Sequence, residues 1–310
     1  MNVFESSPQK AGQNLSRPVV AIGNFDGVHL GHRHIFQRAA DLAKELDTSW
    51  AAMTFRPHPA KVLAPELAPQ LITTFENRLA LIDESGPHGI IVWPFNQELA
   101  SLTPEEYVQE ILVNSLNVSG VVVGYDFTFG KNRQGNRHTI KEQGKRFGFE
   151  TRIISPFSIG GITVSSTKIR AFVLSGRVYA ASMLLGRPLI VSGKVVHGDG
   201  RGATLGYPTA NIDVKQELRP SPGVYAAWCT WEENHFPAAV NIGSVPTFKT
   251  KGDTSVEAYI LDWSGDLYGK NIQIEFVRRL RPEVRYDSAK ELIEQIKKDV
   301  LCTREILMKL

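Results

Sequence analysis

Five short apolar runs recur through the first half of the chain with helical patterns between them: PVVAIG (18–23), SWAAMTF (49–55), HGIIVWPF (88–95), SGVVVG (119–124) and ETRII (150–154). Runs of this kind alternating with amphipathic helices predict an open parallel α/β sheet covered on its faces. Ile35, Phe36, Ala39, Leu42, Ala43 and Leu46 recur at helical spacing. Thr103-Pro104-Glu105-Glu106 supplies an N-cap, a first-turn proline and a capping-box glutamate.

From about residue 188 the rhythm changes. PLIVSGKVV, GVYAAWCTW, FPAAVNIG, SVEAYILDW and NIQIEFVRRL follow one another between turns, which predicts a small antiparallel barrel. A final helix begins near Asp287 or Ser288, where Ser288 and Glu291 suit a capping box, and carries Leu292, Ile293, Ile296 and Val300 on one face towards the barrel. LLGRP (184–188) lies between the two patterns and divides the chain into 1–183 and 184–310. A length of 310 residues with 42% hydrophobic residues supports two such cores.

Composition narrows the setting. The opening MNVFESSPQKAGQN has no long apolar core, and no stretch approaches the roughly 20 apolar residues of a membrane helix, so a cytoplasmic chain with no membrane partner is expected. A net charge of +3 is too small for general nucleic-acid binding. GKNR, GDGR and VRRLR suit local anion binding or a solvated basic surface. Cys229 and Cys302 lie far apart, which predicts two free thiols in place of a disulfide framework or a Cys-x-x-Cys zinc site.

In an open α/β sheet, ligands bind beyond the carboxyl ends of the strands. GNFDGVHLGHRH (23–34) occupies that place after PVVAIG. Gly23, Gly27 and Gly31 admit close backbone approach, and amides at the start of the next helix favour phosphate oxygens. The segment is neither a Rossmann GxGxxG nor a P-loop GxxxxGK[ST]. His29 and His32, three apart, share a face of a helix beginning there. That spacing suits phosphate chemistry, helix capping, a zinc pair or a satisfied core histidine, although no HExxH supplies a familiar zinc arrangement.

The whole segment resembles the HxGH signature of nucleotidyltransferases, here His29-Leu30-Gly31-His32, in the longer version found in bacterial bifunctional riboflavin kinase/FMN adenylyltransferases, the FAD synthetases. TFRPHP (54–59), GYDFTFG (124–130) and VSSTKIR (164–170) resemble further segments of that family, in family order. The resemblance implies a Rossmann-like nucleotidyltransferase sheet. ATP would meet Gly23, Asn24, Phe25, Asp26 and Gly27 at the turn, with Ser165, Ser166, Thr167 and Arg170 on its phosphates. His29 and His32 would stabilise the transition state as the phosphate of FMN attacks the α-phosphorus of ATP and expels pyrophosphate. Phe55, Pro57, His58, Asp126, Phe127 and Phe129 would meet the flavin. Hydroxyls and a guanidinium are suitable phosphate donors, while SSTKIR also reads as a helix cap and the phenylalanines as core. Many family members carry arginine where this chain has Thr128.

GKVVHGDGRGATLGYPTANID (193–213) packs five glycines ahead of Pro208-Thr209-Ala210-Asn211, a composition that suits a phosphate flap or a plain flexible loop. GDGRGATLGYPTAN, GVYA, NIGSVPTF and VEAYILDWSGDLYG together resemble the riboflavin kinase domain. The resemblance implies that Gly198, Gly200 and Gly202 surround phosphate, that Thr209 and Asn211 bind Mg²⁺ with ATP, and that Glu257 receives the proton of the riboflavin 5′-hydroxyl. A lone strand glutamate is otherwise solvent-exposed by default. Val245 stands where the family often has arginine, and Arg279, Arg281 and Glu283 suit either a flavin-covering loop or surface pairing. The implied activity is ATP-dependent conversion of riboflavin to FMN, then of FMN to FAD.

Overall fold

All five apolar runs of the first half are strands, and a short sixth strand precedes them. The computed structural model describes residues 2–5, 10–198, 200–244 and 254–309. They form two compact units, Met1–Ser165 and Ser166–Leu310.

In the first unit, β1 (Val3–Phe4), β2 (Val19–Ile22), β3 (Trp50–Arg56), β4 (Gly89–Pro94), β5 (Gly120–Gly124) and β6 (Glu150–Ile154) pair in parallel in the order β1-β4-β3-β2-β5-β6. The period-2 alternation of a strand sends neighbouring residues to opposite faces, so an apolar run supplies two cores. Val20, Ile22, Met53, Val121 and Val123 pack on one face with Tyr107, Val108, Ile111 and Leu112. Val19, Ala21, Ala52, Ile90 and Val122 pack on the other with Phe36, Ala39 and Leu42 of α1 (Leu30–Glu45) and Leu79 and Ile82 of α2 (Phe75–Asp83). Helix α3 (Arg137–Phe147) adds Ile140 to the first face.

The Thr103 capping box is complete. Thr103 Oγ1 accepts from Glu106 N–H at 3.2 Å, and Thr103 N–H donates to Glu106 Oε2 at 2.8 Å, which holds the Glu106 carboxyl below its ordinary pKa. Beyond the box the helix leaves plain α geometry, and Tyr107–Ser115 is a π-helix. Its buried residues, Tyr107, Val108, Ile111 and Leu112, form two adjacent pairs four residues apart on the face that meets the sheet.

The second unit opens with α4 (Ser166–Leu174) and α5 (Val178–Leu185). Six antiparallel strands follow: β7 (Leu189–Val196), β8 (Ala210–Val214), β9 (Gly223–Trp231), β10 (Asn234–Ser244), β11 (Thr254–Ile260) and β12 (Asn271–Arg281). They close as a barrel in the order β7-β8-β11-β10-β9-β12, with β12 returning to β7. Five are the expected runs, and β8 is the strand-like tail of the glycine segment. Val191, Ile212, Val240, Val256, Ala258, Ile274 and Phe276 are buried in alternation with residues that face outward.

Helix α6 (Ala289–Leu307) packs on β9 and β10 and is capped by Ser288, whose Oγ accepts from Glu291 N–H at 3.2 Å. Arg281 donates from Nε and Nη2 to the Asp299 carboxylate at 2.8–3.1 Å, which joins β12 to this helix. That is the role of the arginine in the LRPE segment. Cys229 is buried and Cys302 exposed, both as free thiols.

Candidate active sites

Strands β3, β2 and β5 are neighbours, and their carboxyl ends lead into TFRPHP, GNFDGVHLGH and GYDFTFG respectively. Sheet order therefore gathers three motifs, separated by up to about a hundred residues of sequence, along one edge. A cavity of about 740 Å³ lies at the opposite edge, lined by residues that include Arg17, Asp47, Ser119, Lys141 and Glu150, and holds none of the motif residues.

The turn after β2 is wound through left-handed backbone at Phe25 (φ 49°), Gly27 (φ 83°) and Val28 (φ 38°). A phenylalanine and a β-branched valine there cost about 1–3 kcal/mol each, and both side chains are fully buried, which offsets the strain. One residue later His29 caps α1, its Nδ1 accepting from His32 N–H at 3.2 Å. A ring nitrogen that accepts carries no proton, so neutral His29 presents its N–H at Nε2. The two imidazoles stack with centroids 3.5 Å apart and planes 17° from parallel, and the Phe25 ring stands edge-on to His32 at 5.3 Å. A Cβ at Gly31 would lie 3.2 Å from the His29 ring, so glycine gives that ring its room. Of the alternatives open in the sequence, the structure shows helix capping, which uses Nδ1 and leaves Nε2 outside the cap. Among the described residues no group of three or more His, Cys, Asp or Glu is placed to hold a metal ion.

Asp26 points inward. Its carboxylate is 2% exposed and accepts from Ile72 N–H at 3.0 and 3.1 Å and from the Thr73 N–H and hydroxyl at 3.3 Å. Asn24 is tied through its carbonyl to the Thr54 hydroxyl at 3.1 Å. Val164 O lies 3.5 Å from a Cβ placed on Gly31, so the last residues of the first unit, Val164-Ser165, pass beside the histidine turn. Ser166, Thr167 and Arg170 stand on α4 of the second unit.

At the neighbouring strand ends, Phe127 and Phe129 stack at 5.3 Å, Phe129 packs on Tyr107, and Phe55 meets Phe95 edge-on at 5.9 Å. Phe55 and Phe129 are buried, Phe127 is half-buried and Asp126 is exposed. Pro57 follows a cis bond, and His58 caps the short helix Pro59–Leu63 through Nδ1. Arg133 Nε donates to Thr128 Oγ1 at 3.0 Å, so a guanidinium reaches Thr128 from five residues on. No spacing in the sequence marks Arg133 for that place.

In the barrel, Asn211 of β8 is in register with Glu257 of β11, which is in turn in register with Asn241 of β10. Cross-strand partners share a face, and this one is the outer face, opposite Val256 and Ala258. The flap lies on it: a Cβ at Gly198 would fall 2.2–2.6 Å from the Asn211 side chain, a place no other residue type occupies without displacing it. Gly202 lies against Thr209, its Cβ position 3.2 Å from Oγ1, and Gly200 is left-handed with φ 68°. Asn241 is the residue that sequence reasoning missed: alternation within VNIG separates it from its apolar neighbours, and only the strand register sets it across from Glu257. Glu283 Oε1 approaches the same rim, 3.4 Å from a Cβ placed on Gly243. Val245 lies outside the described residues.

A parallel sheet with a histidine-capped turn at its carboxyl edge, joined to a barrel with a carboxylate and two amides on its outer wall, defines a two-module transferase acting on nucleotide phosphates. A family model described as FAD synthetase matches residues 11–168, and one described as riboflavin kinase matches residues 185–307. The bifunctional riboflavin kinase/FMN adenylyltransferase of Escherichia coli is 35% identical over 288 residues, covering 93% of this chain and 92% of that protein. Its counterpart in Bacillus subtilis is 37% identical over 293 residues, with the same coverage of both chains. The chain belongs to the bifunctional riboflavin kinase/FMN adenylyltransferase family. A crystal structure from Streptococcus pneumoniae described as a macrolide-efflux protein superposes with a TM-score of 0.85 at 30% identity, covering 95% of this chain and 97% of that one. Among the described residues here, no helix is long and apolar enough to cross a membrane.

Proposed function

We propose how this chain's residues divide the work of its two activities, riboflavin kinase and FMN adenylyltransferase. In the barrel module the Glu257 carboxylate orients the riboflavin 5′-hydroxyl and takes its proton as the oxygen attacks the γ-phosphorus of ATP, giving FMN and ADP. Gly198, Gly200 and Gly202 bring flap amides to the phosphates. The Thr209 hydroxyl and the Asn211 amide oxygen are hard donors suited to Mg²⁺, and Asn211 stands in register with the base. These two residues would hold the ion, which when bound neutralises phosphate charge. The observation that carries the kinase assignment is this Asn211–Glu257 register beneath Gly198.

In the sheet module the phosphate of FMN attacks the α-phosphorus of ATP, and pyrophosphate leaves. The Nε2–H of His29 and the His32 ring donate to oxygens that gain charge in the transition state, and the positive end of α1 adds to this field. Gly23, Asn24, Phe25, Asp26 and Gly27 form the turn that receives ATP, with Asn24, Phe25 and Asp26 shaping it from the protein side. Ser165, Ser166, Thr167 and Arg170 donate to phosphate oxygens. Phe55, Pro57, His58, Asp126, Phe127 and Phe129 bound the flavin, and Arg133 supplies a cation there. We assign residues 1–183 to adenylyl transfer and 184–310 to the kinase. Consumption of ATP by both steps and two free thiols support a cytoplasmic setting.

Incubating the chain with riboflavin, Mg²⁺ and ATP and separating the flavins tests the whole scheme. FMN should form first and FAD after it, and absence of both products overturns the assignment.

A further inference from the structure

Arg78 belongs to none of the motifs, yet its side chain is 2% exposed on the buried face of α2. A buried guanidinium is costly unless its charge and donors are matched. Here the turn after β2 supplies one acceptor and one opposite charge. Nη1 donates to the Asn24 carbonyl at 3.2 Å, and Nη2 stands 4.0 Å from Asp26 Oδ1, which is equally buried. The segment just before α2 completes the grip: Ile72 and Thr73 hold the Asp26 carboxylate, and the Thr73 hydroxyl accepts from Gly27 N–H at 3.3 Å. Asn24, Asp26 and Gly27 are thus tied to residues 72–78, while the strained Phe25 and Val28 lie between and after them. The next residue is His29.

Backbone held in sparsely populated conformations persists where its surroundings over-determine it. This clamp is the over-determining element. From Val28 the chain enters α1 with the His29 ring rotated so that Nδ1 caps the helix and the ring lies on His32. We infer that Arg78 is a positioning residue for adenylyl transfer: through the Asn24 carbonyl and the Asp26 carboxylate it locks the left-handed turn that aims the His29 Nε2–H at the reacting phosphate. The inference rests on the reading of His29 and His32 given above.

Arg78→Lys tests it, because lysine keeps the charge but has no planar fork to reach Asn24 and Asp26 together. The expected result is a fall of about 10- to 100-fold in kcat for FAD formation from FMN and ATP, with both KM values changed by less than about threefold. Long-range ¹H–¹⁵N spectra of the histidine rings supply a second readout. In the unsubstituted chain His29, identified by the peaks lost in His29→Asn, should show an unprotonated Nδ1 and a protonated Nε2, and in folded Arg78→Lys this tautomer should average with the other. Unchanged kcat and unchanged His29 signals in a folded Arg78→Lys protein, even with a lowered Tm, overturn the inference and leave Arg78 a purely stabilising residue. Should Arg78→Lys fail to fold, Thr73→Val carries the same test by removing the hydroxyl shared by Asp26 and Gly27, with a smaller kcat loss of about 3- to 10-fold. Full FAD formation by His29→Asn would instead overturn the reading of the site. Loss in His29→Asn beside full rates in both clamp variants would sink the positioning role alone.

Discussion

Replacing His29 by asparagine and by alanine separates its helix cap from its proposed catalytic role. The Nδ1 atom accepts the first-turn amide of α1 at 3.2 Å, and Nε2 is left as donor. Asparagine is among the best N-cap residues, so His29→Asn restores the capping acceptor while deleting the donor proposed for adenylyl transfer. His29→Ala deletes both. Each substitution loses the stacking on His32, so the difference between them isolates the cap, worth about 1 kcal/mol. In a unit spanning Met1–Ser165 that difference corresponds to about 2–4 °C in Tm. Loss of one preorganised donor to a developing oxyanion costs about 10²–10³-fold in kcat. Scanning calorimetry and FAD formation from supplied FMN should then give His29→Asn with the higher Tm of the two and both variants with the same large loss of adenylyl transfer. Equal Tm values would refute the capping role. Adenylyl transfer by His29→Asn at the unsubstituted rate would refute the division of labour between the nitrogens.

Glu257→Gln removes the proposed proton acceptor without changing the strand register with Asn211 and Asn241, and should lower FMN formation by about 10²–10⁴-fold while FAD is still made from supplied FMN. Coupled loss of both products, measured by chromatography, would argue against two separate sites. Burial pushes the Cys229 thiol up to about 12, so at pH 8 a thiol reagent should titrate the exposed Cys302 quickly and reach Cys229 after unfolding; two equally fast thiols in the native protein would contradict the barrel placement. Asp299→Asn weakens a part-buried, bidentate anchor between β12 and α6 and should destabilise the barrel unit by about 1.5–3 kcal/mol in urea unfolding, an effect that a surface ion pair would not produce.

Local signals in the sequence were decisive wherever the physics is local. Apolar runs separated by helical spacing identified the parallel sheet and the barrel, because burial of a strand or a helix face needs residues at a fixed short period. The Thr103 capping box and the Ser288 cap were readable for the same reason, since donor and acceptor lie three residues apart. The π-helical turn after Thr103 was not, because its width answers to the layer packed against it.

At the sites, motif spelling determined which residue types are present and tertiary structure decided what each faces. His29 and His32 were legible as a pair, while the use of Nδ1 for the cap depends on a backbone wound through Phe25 and Val28. Asp26 reads in the sequence as part of a ligand turn and is held in the structure by residues 72 and 73. Asn241 across from Glu257, Arg133 on Thr128 and Arg78 beneath the turn were invisible in the sequence. A hydrogen bond or ion pair across strands and layers depends on distance in space, and the chain records only distance along itself.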